Sequence, residues 1–108
     1  MKGTWNITSV CFSPDSTQIV TADSIAIIWD AKSGTSLGEL KGHSDTISSV
    51  SFSPDGTRIV TGSWDNLAII WDVKTRTKIG VPLKGHSLEI SSVSFSPDGK
   101  RIVTGSWD

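Results

Sequence analysis

"RIVTGSWD" stands at residues 58–65 and again, letter for letter, at 101–108. Eight identical residues spaced 43 positions apart in a chain of 108 indicate an internal repeat. Other strings keep the same beat. "FSPD" begins at Phe12, Phe52 and Phe95, "KGH" at Lys41 and Lys84, and "AIIWD" at Ala26 and Ala68. Residues 41–65 and 84–108 agree at 22 of 25 positions. The first copy is more divergent, reading "VTADSIAIIWD" where the second reads "VTGSWDNLAIIWD", two residues shorter.

Each period predicts four short strands. In the complete copy they fall at 47–53, 57–63, 67–73 and 78–84, rich in β-branched, aromatic and hydroxyl residues with no helical period. "SPDG" between the first two is turn chemistry. Pro54 presets its φ, Asp55 can bond the local backbone, and Gly56 accepts the left-handed conformation. Asp65 and Asn66 supply the next hairpin, and Pro82, lacking an N–H, belongs on a sheet edge. In the third strand Leu67, Ile69 and Trp71 alternate with Ala68 and Ile70, so both faces are apolar and both need cover. Across the chain the pattern amounts to ten strands.

Composition narrows the function classes. A net charge of −1 with dispersed charges exerts no strong pull toward nucleic acid or an anionic membrane; Lys74, Arg76 and Lys78 read as one solvated strand face. One cysteine, Cys11, excludes an internal disulfide and a cysteine-pair metal site. No apolar run approaches transmembrane length or a signal peptide's apolar stretch, so a soluble, cytoplasmic protein is expected, and "NIT" at 6–8 reads as a chance glycosylation match.

Taken jointly, "GH", "FSPDG", "GSWD" and "IIWD", in that order and period, resemble the WD-repeat β-propeller family over essentially the whole chain. The resemblance implies an all-β fold of four-stranded antiparallel blades: a degenerate first blade at 1–42, a complete second at 43–85 and half a third at 86–108. Propellers close with about four to eight blades, so the expectation is an incomplete propeller from a longer array. Self-association through the exposed edge strand "RIVTGS" and a non-functional truncated fragment are the alternatives.

The resemblance also assigns a buried hydrogen-bonded tetrad, which by motif position is His43, Thr61, Asp65 and Trp71. A buried indole N–H needs an acceptor, and hydroxyl, imidazole and carboxylate can relay donors and acceptors behind it. The third copy carries His86, Thr104 and Asp108. The first keeps Thr21, Asp23 and Trp29, with Gly3 where the His would stand. The residue types of a hydrolase triad are therefore present, but a group that recurs in every period serves every blade alike, whereas catalysis needs one site. No enzyme activity is expected. No metal or cofactor is expected either, since His43 and His86 lack ligand partners at short spacing and no phosphate-binding glycine loop is present.

The near-identical copies differ at adjacent positions just after the His, Asp45–Thr46 against Leu88–Glu89, where the first copy has Trp5–Asn6. The resemblance places this loop, and the residue before the turn Asp, on the top face. Trp64, Trp107, Thr46, Glu89, Ser48 and Ser91 are therefore the candidate contacts for a protein partner, with large aromatics the strongest of them. Two other outcomes stay open: each Trp packs between blades, or the central channel holds a small ligand.

Overall fold

The computed structural model describes residues 8–84 and 89–106. Nine antiparallel strands form there, and no helix among the described residues. They are β1 (Ser9–Phe12), β2 (Gln18–Ala22), β3 (Ala26–Asp30), β4 (Ser36–Leu40), β5 (Ile47–Phe52), β6 (Arg58–Ser63), β7 (Ala68–Asp72), β8 (Ile90–Phe95) and β9 (Ile102–Ser106). Within each sheet the strands pair in chain order, giving sheets β1-β2-β3-β4, β5-β6-β7 and β8-β9. The sheets stack in an open array. β5 lies against β1 and β2, and β8 lies against β5 and β6.

Turn chemistry sets the first hairpin of each sheet. Gly56 has φ +75°, the left-handed value that glycine takes without a Cβ penalty. Asp55 Oδ1 accepts from the Ser53 hydroxyl at 2.6 Å, the Thr57 N–H at 3.0 Å and the Thr57 hydroxyl at 2.8 Å. The Ser53 hydroxyl in turn accepts the Arg58 N–H at 3.0 Å, so one serine and one carboxylate close the loop. These donors, the Ser53 hydroxyl first, hold the Asp55 carboxyl down from 3.8 to about 2. Asp15 is held down to about 2 by the matching Ser13 hydroxyl and Thr17. In the third copy the Ser96 hydroxyl lowers Asp98 in the same way.

The expected fourth strand of the second period does not form a regular strand. Residues 78–84 make only isolated bridges, Trp71 with Lys78 and Ala68 with Leu83. The cause is legible beside β4. The first copy crosses from glycine to leucine through Glu39 alone, whereas the second inserts Val81 and Pro82 between Gly80 and Leu83. The extra residue breaks the register and proline withholds a donor, so Val81 bulges out at 81% exposure. The described strands therefore number nine rather than ten.

Both faces of the middle sheet are covered, as its two-sided apolar pattern requires. On one side Ile47, Val50, Phe52, Ile59, Ile69 and Trp71 pack against Val20, Ala22, Ala26, Ile28 and Leu40. On the other, Val60 and Ala68 meet Ile90 and Val93, flanked by half-buried Ile70, Phe95 and Ile102. Each such aliphatic side chain contributes about 1.5–3 kcal/mol when fully buried, so the stack, rather than any one sheet, carries the stability.

Polar groups register the sheets against each other. The Val50 N–H donates to Ser9 Oγ at 3.3 Å, and the Val93 N–H donates to Ser49 Oγ at 3.2 Å, the same bond one repeat later. The Thr8 hydroxyl donates to the Ile47 carbonyl, and the Ser48 hydroxyl donates to the Ile90 carbonyl. A β-bulge between Ile47 and Ser49 re-aims Ser48 and lets Ile47 and Val50 point into the same core. Gly62 marks the closest approach: a Cβ there would lie 2.5 Å from Val93 Cγ1 and 2.7 Å from Ile90 Cγ2.

Two outcomes follow. Gly62→Ala should destabilise by about 1–3 kcal/mol through overpacking, while Gly105→Ala, whose Cβ would meet nothing nearer than 3.8 Å, should be close to neutral in denaturant melts. Because Asp15 and Asp55 have folded pKa values below the ordinary 3.8, the stability they confer is complete above that pH and is lost as pH falls toward about 2. Denaturant midpoints followed across that window should fall, and less steeply in Ser53→Ala. A midpoint unchanged across it would show that the turn carboxylates contribute nothing.

Candidate functional site

The four residues matched as a tetrad come from four places in one repeat. His43 leads into β5, Thr61 sits within β6, Asp65 lies in the β6–β7 turn and Trp71 in β7. Register brings Thr61 and Trp71 together. Thr61 pairs with Ile69 and Ile59 with Trp71, so the indole and the hydroxyl are diagonal neighbours on one face.

The bonds form a single relay. Trp71 Nε1–H donates to Thr61 Oγ1 at 2.9 Å. Thr61 Oγ1 lies 2.6 Å from His43 Nε2, and His43 Nδ1 lies 2.8 Å from Asp65 Oδ2. Every member is satisfied when the ring proton sits on Nδ1: the imidazole donates to the carboxylate, and the threonine hydroxyl donates to Nε2 while accepting the indole N–H. Asp65 also accepts the Ser44 N–H on Oδ2 and the Leu67 N–H on Oδ1, each at 3.0 Å. Ser44 lies before β5 and Leu67 before β7, so one carboxylate ties the entry loop of the sheet to its central hairpin.

Burial decides what this constellation can do. The His43 side chain is fully enclosed, Asp65 is 5% exposed and Thr61 0% exposed. A nucleophilic hydroxyl needs an approach for substrate and a base to take its proton. Thr61 has no approach, and both of its bonding directions are occupied by the tetrad.

The other copies hold parts of the relay. Trp29 Nε1–H donates to Thr21 Oγ1 at 2.8 Å, but Asp23 makes no side-chain hydrogen bond to a described residue. Thr104 is half-buried and bonded. His86, Asp108 and Gly3 lie outside the described residues.

Beside the buried relay stands an exposed indole. Trp64 is 45% exposed at the tip of the β6–β7 hairpin. Its backbone N–H donates to the Thr46 carbonyl at 2.9 Å, and the Ser63 hydroxyl donates to the same carbonyl at 2.8 Å. Asn66, at φ +73°, completes the turn, its N–H donating to the Ser63 carbonyl at 3.2 Å. Trp64 and Thr46 thus share one pinned rim, with exposed Asp45 and Ser44 beside them.

The remaining candidates separate. Glu89 is half-buried at the entry to β8, its carbonyl accepting from the Ser106 hydroxyl at 2.9 Å. Ser48 is not on the rim, because the bulge sends its hydroxyl between the sheets to the Gly62 carbonyl at 3.2 Å and to the Ile90 carbonyl. Ser91, its counterpart, is exposed and donates at 3.4 Å to the Gly105 carbonyl of its own hairpin. Trp107, Trp5, Asn6 and Leu88 lie outside the described residues. Sequence reasoning missed Ser63, which staples the rim, and Ser9 and Ser49, which join the sheets. The recurring Ser at the position of Ser9, Ser49 and Ser92 was the available signal. Among the described residues no three His, Cys, Asp or Glu side chains group to hold a metal.

Stacked antiparallel sheets that repeat one turn, with the relay complete in the middle sheet and partial in the first, define a modular repeat protein built from blades. The chain belongs to the family described as WD domain, G-beta repeat, whose model matches residues 1–30, 34–72 and 76–108. The middle match begins before β4 of the first sheet and ends with β7 of the second, so the sequence unit straddles two sheets. Repeats of this family generally mediate protein–protein interaction. No curated protein matches the chain.

The relay makes a measurable distinction. Asp65→Ala strands buried donors and should destabilise by about 1–3 kcal/mol. Asp23→Ala removes a carboxylate without such bonds and should cost less. Equal losses in denaturant melts would show that the carboxylate bonds at Asp65 are not what stabilises the repeat.

Proposed function

We propose that the chain is a non-catalytic scaffold module that binds a protein partner on the rim formed by the β6–β7 hairpin and the loop before β5. The observation that carries this is the contrast at one end of the middle sheet. Thr61, His43 and Asp65, the groups able to do chemistry, are enclosed and mutually satisfied, while Trp64 next to them is held 45% exposed on a stapled turn. A rigid aromatic offers large contact area at low entropic cost, which is what interface hot spots favour. Thr46 and Asp45 supply polar contacts around it.

A small-ligand reading has a different location. A cleft of about 620 Å³ lies at the opposite end of the sheets, between the turns carrying Asp15, Asp55 and Asp72, with Leu37 and Arg76 along its wall. It is an open groove between hairpins rather than an axial channel, and the rim reading is the better supported of the two.

The test separates folding from binding. Trp64→Ala should leave the denaturant midpoint within about 0.5 kcal/mol, as for an exposed surface site, and should weaken capture of a bound protein by about 2 kcal/mol or more. Binding per folded molecule that is unchanged, with a stability loss of about 3–5 kcal/mol typical of a core tryptophan, would assign Trp64 to packing and remove the rim proposal.

A further inference from the structure

The middle sheet shows what each face of a sheet in this stack needs, and the two outer sheets each leave one such face bare. Val50 and Phe52 are each 6% exposed against the first sheet, yet their repeat equivalents Val10 and Phe12 are 59% and 56% exposed. Ile19, Ile27 and Trp29 extend the same leading face and are only half-buried. At the other end of the stack Val60 is 0% exposed under β8, whereas its equivalent Val103 is 65% exposed. Ser91 and Ser92, equivalents of Ser48 and Ser49, are exposed on that trailing face.

The two bare faces are the halves of the interface the molecule already makes twice. Strand contacts across sheets run chiefly from the first strand of the following sheet to the first two of the preceding one. β8 and β9 supply those two strands and β1 supplies the first. The fit extends to single residues. Val93 fills the space over Gly62, and a Cβ at Gly105 would meet nothing nearer than 3.8 Å, so the equivalent space over Gly105 is open. Val10 is the equivalent of Val93. The Val93 N–H donates to Ser49 Oγ, and repeat equivalence sets the Val10 N–H against Ser92 Oγ. Neither face carries a charged side chain among the residues named, so no like-charge repulsion opposes the contact.

We infer that the chain associates head to tail with a second copy of itself, the leading face of β1–β3 in one copy docking on the trailing face of β8–β9 in the other. Such a contact is heterologous: each copy uses two different patches, and each added copy leaves one of each kind open. It is a face-to-face contact, distinct from strand addition at the open edge of β9, and it does not depend on the partner reading of Trp64.

Complementation of blocked faces tests it. Lysine placed in a face charges it without disturbing the fold, because Val10 and Val103 are already exposed. By light scattering or sedimentation, the unaltered chain should grow in mass with concentration. Val10→Lys, with only its trailing face intact, and Val103→Lys, with only its leading face intact, should each be monomeric. Mixed in equal amounts they should double in mass to a one-to-one heterodimer and stop there. Should either substitution unfold the chain by circular dichroism, Phe12→Lys and Ser92→Lys block the same faces and carry the same test. An unaltered chain that stays monomeric at high micromolar concentration overturns the inference. So does association that persists in either single variant, which would place the contact at the β9 edge, and so does a mixture that fails to associate.

Discussion

Each sheet of this protein is apolar on both faces, and everything else in the structure answers to that. A sheet with one wet face could stand alone against a helix or a loop. One with Ile59, Ile69 and Trp71 on one side and Val60 and Ala68 on the other must lie between two neighbours. Among the described residues, which form strands and no helix, stacked sheets supply that cover, and close stacking demands a small residue where strands approach. Gly62 is that residue between the second and third sheets, with Val93 and Ile90 seated over it. Hydroxyls on the first strands then fix how far one sheet slides along the next, through Ser9 to Val50 and Ser49 to Val93.

Within the sheet, the buried relay solves a local problem that stacking creates. Trp71 fills the core as the largest enclosed side chain, and its N–H has to be satisfied without water. Thr61 accepts it, His43 takes the threonine's proton as a bond, and Asp65 receives the imidazole and two backbone N–H groups. The end of that relay is the turn that presents Trp64. A core requirement thereby sets the position of a surface aromatic, which links the packing of the protein to the shape of its rim. The hydroxyl–imidazole–carboxylate arrangement is enclosed, and it ties the entry loop of the sheet to its central hairpin.

Much of this was legible in the residues. The recurrence of "FSPD" and "AIIWD" located the hairpins, and "SPDG" declared a turn whose Gly56 takes the left-handed backbone. Motif position also named the four residues that the structure joins into one relay. The fourth strand of the second period was harder to read. Its β-rich letters hid a one-residue insertion at Val81–Pro82 that breaks the ladder. Ser48 was harder still, because alternation along a strand assigns each side chain a face, and the bulge after Ile47 reverses that assignment.

The sequence by itself determined which residues turn, which pair and which two faces of every sheet are apolar. These are properties of a single hairpin, set by local backbone preferences and by the alternation of side chains along a strand. Only the tertiary structure decided which of those faces is covered. The strings at 58–63 and 101–106 are identical, yet Val60 is 0% exposed and Val103 is 65% exposed. Burial belongs to the neighbour as much as to the residue, and a repeated sequence encodes the same demand for a neighbour at every copy without saying where in the stack that neighbour is found.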